Sequence, residues 1–293
     1  MPLRLILAAM LACLPALANA ATFQGRDYIL TDARRDARPA PLVLVLHGFG
    51  GTGAIQQAHT GFDRLARRAG VVAVYPSAPR RQWNDGRFGA TGGRRIGARD
   101  DAAWFRTLVA DLAARGIVDP GQVHVIGHSN GGGMAMRLAC EAEPLVRAIA
   151  VVATKELPDM PCAARHPVPA VFFHGTRDPV SPHGGDLTGE AGALPFNTGA
   201  SLSSAETLAR WAERNGCAGS RTARIDPADD GVSVVRRDFT GCTAALRYFE
   251  IEGGGHGWPG ARRGAIRPRA ADREPAVRDI DAGAEALRFW FGG

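Results

Sequence analysis

Hydrophobic residues follow two rhythms along the chain. Nearly unbroken apolar runs at 42–46, 71–75, 123–126, 146–152 and 169–174 have the length of strands and almost no polar face. That pattern is expected of strands buried on both sides of a parallel sheet. Between them lie segments with helical spacing: 62–68 (Phe62, Leu65, Ala66), 101–115 (Ala102, Phe105, Leu108, Val109, Leu112), 204–215, and 280–291 (Ala284, Leu287, Phe291). Short strands are expected at 27–30, 232–239 and 245–252, and a turn at Val118-Asp119-Pro120. Strand–helix alternation over most of the length predicts an α/β fold, a mostly parallel central sheet with helices on both faces. No repeat or linker interrupts it, so residues 21–293 are expected to form one domain.

The first twenty residues follow a different pattern. Arg4 precedes an apolar stretch at 5–17 and the small residues Ala18-Asn19-Ala20, the layout of a cleaved secretory signal. The stretch is shorter than the ~20 residues that span a bilayer, so no membrane anchorage is expected after cleavage. The protein is expected to be secreted, extracellular or periplasmic.

Composition narrows the partners. The net charge of +6 comes almost wholly from arginine, Lys155 being the only lysine. No basic helix and no basic–aromatic interleaving appears, which argues against a nucleic-acid partner. Nothing points to an obligate protein partner. Export leaves Cys140, Cys162, Cys217 and Cys242 to pair in an oxidising compartment. Of three possible pairings, the sequence-local one is expected: Cys140–Cys162 and Cys217–Cys242. No Cys/His spacing suits a metal, and no cofactor is expected.

The chemistry centres on 123–134, where an apolar run ends in Gly127-His128-Ser129-Asn130-Gly131 and leads into a helix-forming segment. Strand, Gly-x-Ser-x-Gly turn and helix form a nucleophile elbow, with Ser129 as nucleophile and the N–H of Asn130 as an oxyanion donor. The run 42–46 ends in His47-Gly48-Phe49-Gly50-Gly51-Thr52-Gly53. Its Gly-x-Gly-x-x-Gly spacing could suggest a dinucleotide site, but the next strand ends in Pro76-Ser77 with no carboxylate for a ribose. An oxyanion loop is the better reading, with Phe49 donating its N–H. His47 is expected to brace that loop. A serine needs a base and the base an orienting acid. Asp178 follows the run 169–174, and His256 follows the strand at 245–252 in a glycine-rich turn. The order Ser129, Asp178, His256 is that of α/β-hydrolases. His128 is expected to face away from its neighbour, and His183 to be a surface-loop residue.

The motifs Leu46-His47-Gly48, Trp83-Asn84-Asp85-Gly86-Arg87, Gly127-His128-Ser129-Asn130-Gly131-Gly132, His174-Gly175-Thr176-Arg177-Asp178-Pro179, Asn215-Gly216-Cys217 and Gly254-Gly255-His256-Gly257-Trp258-Pro259-Gly260 stand in this order. In them the chain resembles the secreted poly(3-hydroxybutyrate) depolymerase / feruloyl esterase family. The resemblance runs from about residue 26 to the C-terminus. Gly257 departs from it, standing where threonine is more frequent. It implies an α/β-hydrolase fold, Ser129, Asp178 and His256 as the triad, and ester substrates, small or oligomeric. Trp83 and Trp258, in loops beside these positions, are candidates for an apolar substrate wall, with loop packing the competing reading; Phe196 is a weaker third. Acyl transfer on the same fold and a non-catalytic ester-binding protein are the alternatives to hydrolysis.

Overall fold

Alternate residues of one apolar strand serve two different cores. In the computed structural model, which describes residues 18–87, 99–141, 145–158, 160, 162, 166–185, 200–261 and 276–292, strand β3 (Ala40–Leu46) runs through the middle of the molecule. Leu42, Leu44 and Leu46 pack on one side of the sheet and Val43 and Val45 on the other, all fully buried. This is why its sequence is apolar throughout instead of alternating.

The sheet has ten strands in the order β1-β2-β4-β3-β5-β6-β7-β10-β9-β8. The remaining strands are β1 (Ala18–Phe23), β2 (Arg26–Asp32), β4 (Val72–Pro76), β5 (Val118–His128), β6 (Ala148–Val152), β7 (Ala170–Gly175), β8 (Gly219–Ile225), β9 (Ser233–Thr240) and β10 (Leu246–Glu252). From β4 to β10 all neighbours are parallel; β1–β2 and β9–β8 add antiparallel flanks. After β3 the chain passes to β4 on one side and then to β5 on the other, so the strand order reverses there. In open α/β sheets the crevice at that reversal, at the carboxyl ends of the strands, is where ligands bind.

Helices cover both faces. On the first lie α3 (Asp101–Ala114), α4 (Asn130–Ala139) and α5 (Ser204–Arg214), and their Phe105, Leu108, Met134 and Trp211 join one core. On the second, α2 (Phe62–Ala69) and α6 (Ala282–Phe291) contribute Phe62, Leu65, Ala286 and Leu287 to the other. Each such side chain contributes about 1.5–3 kcal/mol on burial. The α5 start carries a reciprocal capping box of Ser203 and Glu206. Helix α1 (Gly53–Thr60) follows the loop after β3, with Thr52 as its N-cap.

Three elements lie outside the sequence expectations: β1, α1 and β8. A fourth expectation is corrected. Val118-Asp119-Pro120 is not a turn but the start of β5, at a point where the pairing with β3 shifts register between Ala40 and Leu42. Such irregularities are where a strand tolerates proline. Residues 1–17 of the expected signal, residues 88–98 and Phe196 lie outside the described residues. Ala18–Ala20, the expected cleavage site, pair with Thr31, Leu30 and Ile29 in β1. Cleavage after Ala20 would leave the pairs Ala21–Tyr28, Thr22–Asp27 and Phe23–Arg26. Disulfides join Cys140 to Cys162 and Cys217 to Cys242. They close loops of 22 and 25 residues, each worth about 3 kcal/mol by restricting the unfolded chain.

Candidate active site

The turn between β5 and α4 is shaped by what cannot fit. A Cβ on Gly127 would lie 2.1 Å from the carbonyl oxygen of Gly131, and one on Gly131 would lie 2.6 Å from the carbonyl oxygens of Leu46 and His47. Strand, helix and the neighbouring β3 end therefore meet with no room for a side chain. Gly132 would meet the Thr154 side chain at 2.7 Å and Gly133 the Asp85 carboxylate at 2.5 Å. Between these glycines Ser129 sits at φ 52° and ψ −119°. A non-glycine residue there costs about 1–3 kcal/mol and persists only because its surroundings enforce it. Its N–H is held by the Val152 carbonyl at 2.8 Å, and its own carbonyl accepts the Gly133 N–H at 3.0 Å. Asn130 begins α4, at the end of a helix where N–H groups have no carbonyl partners within the helix.

The loop after β3 runs directly beside the serine: a Cβ on Gly48 would lie 3.3 Å from Ser129 Cβ. His47 braces it. Its Nδ1–H donates to the Gly48 carbonyl at 2.7 Å, and its Nε2 accepts the Ala78 N–H at 3.0 Å. Burial pushes this imidazole down to about 4, so it stays neutral. Phe49 is half-buried at the loop tip. The next residue, Gly50, donates its N–H to the Arg81 carbonyl at 2.8 Å.

A second loop clamps the β5–α4 turn and the loop after β3 together. Asn130 Oδ1 accepts the Trp83 N–H at 2.7 Å, and Asn130 Nδ2 donates to the Trp83 carbonyl and to Asp85 Oδ2, at 3.1 and 2.8 Å. Asp85 is itself forked by Arg87. Asp101, fully buried, accepts from Arg26, Arg99 and the Asn84 N–H. These contacts bear on the two readings of Trp83. Its side chain is 0% exposed, its Nε1–H donates to the His47 carbonyl at 3.0 Å, and its ring packs on His47 and Phe105. It supports the loop after β3, which fits the loop-packing reading. Trp258, 3% exposed and edge-on to His128, fits the same reading.

Asp178 and His256 meet across the ends of β7 and β10. The Arg177 N–H donates to the Gly254 carbonyl at 2.9 Å, and a Cβ on Gly175 would lie 2.3 Å from that carbonyl, so the two loops touch backbone to backbone. His256 Nδ1–H then donates to Asp178 Oδ2 at 2.8 Å. The other carboxylate oxygen accepts the N–H groups of Val180 and Ser181 at 2.8 and 2.7 Å. Burial opposes ionisation of Asp178, yet the charge of His256 and the hydrogen bonds of His174 and His256 hold it well below the usual carboxylate range.

His128 has a role that reading the sequence did not assign. It does not serve Ser129. Its Nε2–H donates to the backbone carbonyl of His256 at 2.7 Å, and the two rings lie 5.1 Å apart. The turn after β5 thereby grips the loop that carries His256. Burial, with the charge of His256, pushes His128 down to about 3, which keeps it in this neutral donor form. The signal available in the sequence was its place next to the serine; nothing there named its partner. Among the described residues no group of three or more His, Cys, Asp or Glu side chains could hold a metal ion.

Known proteins place the chain. Residues 41–173 match the family model described as alpha/beta hydrolase fold. The chain is 32% identical to the protein named "Putative esterase NocK" of Nocardia uniformis subsp. tsuyamanensis, over 86% of this chain and 74% of that one. It is 25% identical to feruloyl esterase C of Emericella nidulans, over 87% and 86% of the two chains. Among solved structures, the acetyl xylan esterase of Aspergillus awamori shares the fold, with a TM-score of 0.56 and 16% identity over 82% of this chain and 94% of that one. With a parallel sheet that reverses at β3, a glycine-walled elbow on β5 and this relationship to NocK, the chain belongs to the esterases of the α/β-hydrolase family.

Proposed function

We propose that the chain is an exported serine carboxylic-ester hydrolase acting on hydroxyalkanoate oligomers or aryl and feruloyl-type esters. Ser129 Oγ attacks the ester carbonyl while His256 Nε2 takes its proton. Asp178 fixes the other ring nitrogen as the N–H form and stabilises the imidazolium. The tetrahedral oxyanion rests on the N–H groups of Asn130 and Phe49, each such donor being worth about 3 kcal/mol. Collapse expels the alcohol, which receives the proton from His256, and leaves an acyl-serine. Water, deprotonated by the same imidazole, then releases the acid and restores Ser129.

The observation that carries this reading is the 2.8 Å hydrogen bond from His256 to Asp178, joined through His128 to a serine held at positive φ. Export is supported by the two disulfides and by the signal-like pattern at 1–20. The feruloyl ester named for a relative supports the aryl and feruloyl part of this substrate class. Ser129→Ala is expected to abolish turnover of p-nitrophenyl butyrate and labelling by a fluorophosphonate, with thermal unfolding nearly unchanged. Substantial turnover or labelling in that variant would sink the assignment. Hydroxybutyrate oligomers, methyl ferulate and acetylated sugars, run on the wild type, rank the substrate classes. Product analysis with added alcohol separates hydrolysis from acyl transfer.

A further inference from the structure

Asp178 carries one partner more than a triad requires. Besides His256, Oδ2 faces a second imidazole: His174 Nε2, on β7, lies 3.2 Å away. The tautomer of His174, which is 2% exposed, follows from its neighbours. Nε2 is 2.8 Å from the carbonyl oxygen of Ser181, and a carbonyl only accepts, so Nε2 bears the proton. Burial holds this histidine below its ordinary value despite Asp178, so it is neutral and Nδ1 is an acceptor. Ser204 Oγ, 3.1 Å from Nδ1, must then donate its proton there.

Donors therefore point one way, from Ser204 through His174 toward Asp178. Hydrogen bonds in such a chain polarise one another, so the last donor is stronger than an isolated imidazole N–H. Lys155 stays outside the chain and fixes the turn instead, its Nζ donating to Ser181 Oγ at 3.0 Å and to the Pro182 carbonyl at 2.6 Å.

We infer that His174 is a positioning residue for the reaction proposed above: its neutral Nε2–H, shared between the Ser181 carbonyl and Asp178 Oδ2 and backed by Ser204, holds that carboxylate oxygen in line with His256. A neutral donor suits this place. A cation there would neutralise the carboxylate and weaken its hold on the imidazolium that forms in the transition state, whereas no donor would let the carboxylate rotate about the two N–H bonds on Oδ1.

The test compares His174→Phe, which keeps a ring but no donor, with His174→Gln, whose amide N–H can reach the same oxygen. Turnover and KM on p-nitrophenyl butyrate are read with the downfield proton resonance of the His256 Nδ1–H. His174→Phe is expected to lose roughly 10- to 100-fold in kcat with KM little changed, the worth of a hydrogen bond to a charged group. Its imidazole resonance should shift, and His174→Gln should restore most of both. A folded His174→Phe with wild-type kcat and an unshifted resonance would overturn the inference. If that variant does not fold, Ser204→Ala carries the test. A modest drop in kcat with a shifted resonance supports the chain, and no change in either overturns it. Asp178→Asn serves as the control. If it keeps full activity, the triad itself is wrong. If it is crippled while His174→Phe and Ser204→Ala match the wild type, only the inference about His174 falls.

Discussion

The two halves of the site are held by different forces. On the nucleophile side, position is set by close packing of glycines and by ionic clamps: Asp85 with Arg87, and Asp101 with Arg26 and Arg99. Every buried charge there is neutralised beside it. On the acid–base side Asp178 is bound by backbone N–H groups and two imidazoles, so no arginine or lysine among the described residues pairs with it directly. Under the mechanism proposed above, the contrast has a chemical reason. Oxyanion donors need fixed geometry and no net field of their own, whereas the acid must keep an uncompensated charge for the imidazolium that appears only in the transition state.

Asp178→Asn attacks the second half at its source. It removes the charge and favours the wrong tautomer of His256, and in a well-studied protease triad the corresponding change costs ~10⁴-fold in turnover. The loss should appear in kcat more than in KM, measured on one soluble ester near neutral pH. A near-normal kcat would remove the distinction between the halves.

Asp85→Asn attacks the first. Asn130 and Arg87 lose their charged acceptor, the clamp between elbow and oxyanion loop loosens, and kcat should fall roughly 10-fold, with about 2–3 kcal/mol of stability lost. Chemical denaturation and steady-state kinetics check both numbers. Stability lost with kcat unchanged would show that the clamp holds the fold and not the oxyanion geometry.

A third expected effect, on stability and not on turnover, is a pH dependence shared by both halves. His47, His124 and His128 are buried neutral, pushed down to about 4, 4 and 3. Below pH 6.5 the unfolded chain binds protons that the folded chain refuses, so stability is full above that pH and declines as pH falls toward 4. Asp178, also depressed when folded, adds to the loss below its unfolded value near 4. Each histidine contributes up to about 1.4 kcal/mol per pH unit. The unfolding temperature should drop measurably from pH 7 to pH 5, and by less in His124→Phe, whose imidazole packs on Trp290 and Phe291 away from the site. An unchanged slope in that variant would remove His124 from the account.

Much of this was legible in the sequence because burial on two faces leaves a plain mark. The runs that became β3, β4, β6 and β7 could hardly be anything else, and Gly127 and Gly131 announced a close approach that the distances bear out. What escaped lies where burial is weak or partners are distant. In β8 six of seven residues are exposed, so it has no hydrophobic rhythm to read. Helix α1 opens on glycine and buries only Gly53, Gln56 and Thr60. The indole of Trp83 stood open between substrate wall and loop packing because loop position says nothing about which way a side chain turns. His128 and His174 stood in recognised motifs, but their roles depend on carbonyls 128 and 7 residues away.

The glycines of the elbow bear also on when the site comes into being. Helix α4 begins with three consecutive glycines, each less favourable in a helix by about 1 kcal/mol than alanine. Such a segment does not hold helical form alone and is shaped by β3, β5 and the Asp85 loop closing around it. The strained serine therefore exists only in the finished tertiary structure, and, with Ser129 as the proposed nucleophile, a partly folded chain carries that serine unreactive. Covalent labelling of Ser129 then counts native molecules: followed through a denaturation curve, it reports the fraction of chains whose sheet and both flanking loops are fully assembled.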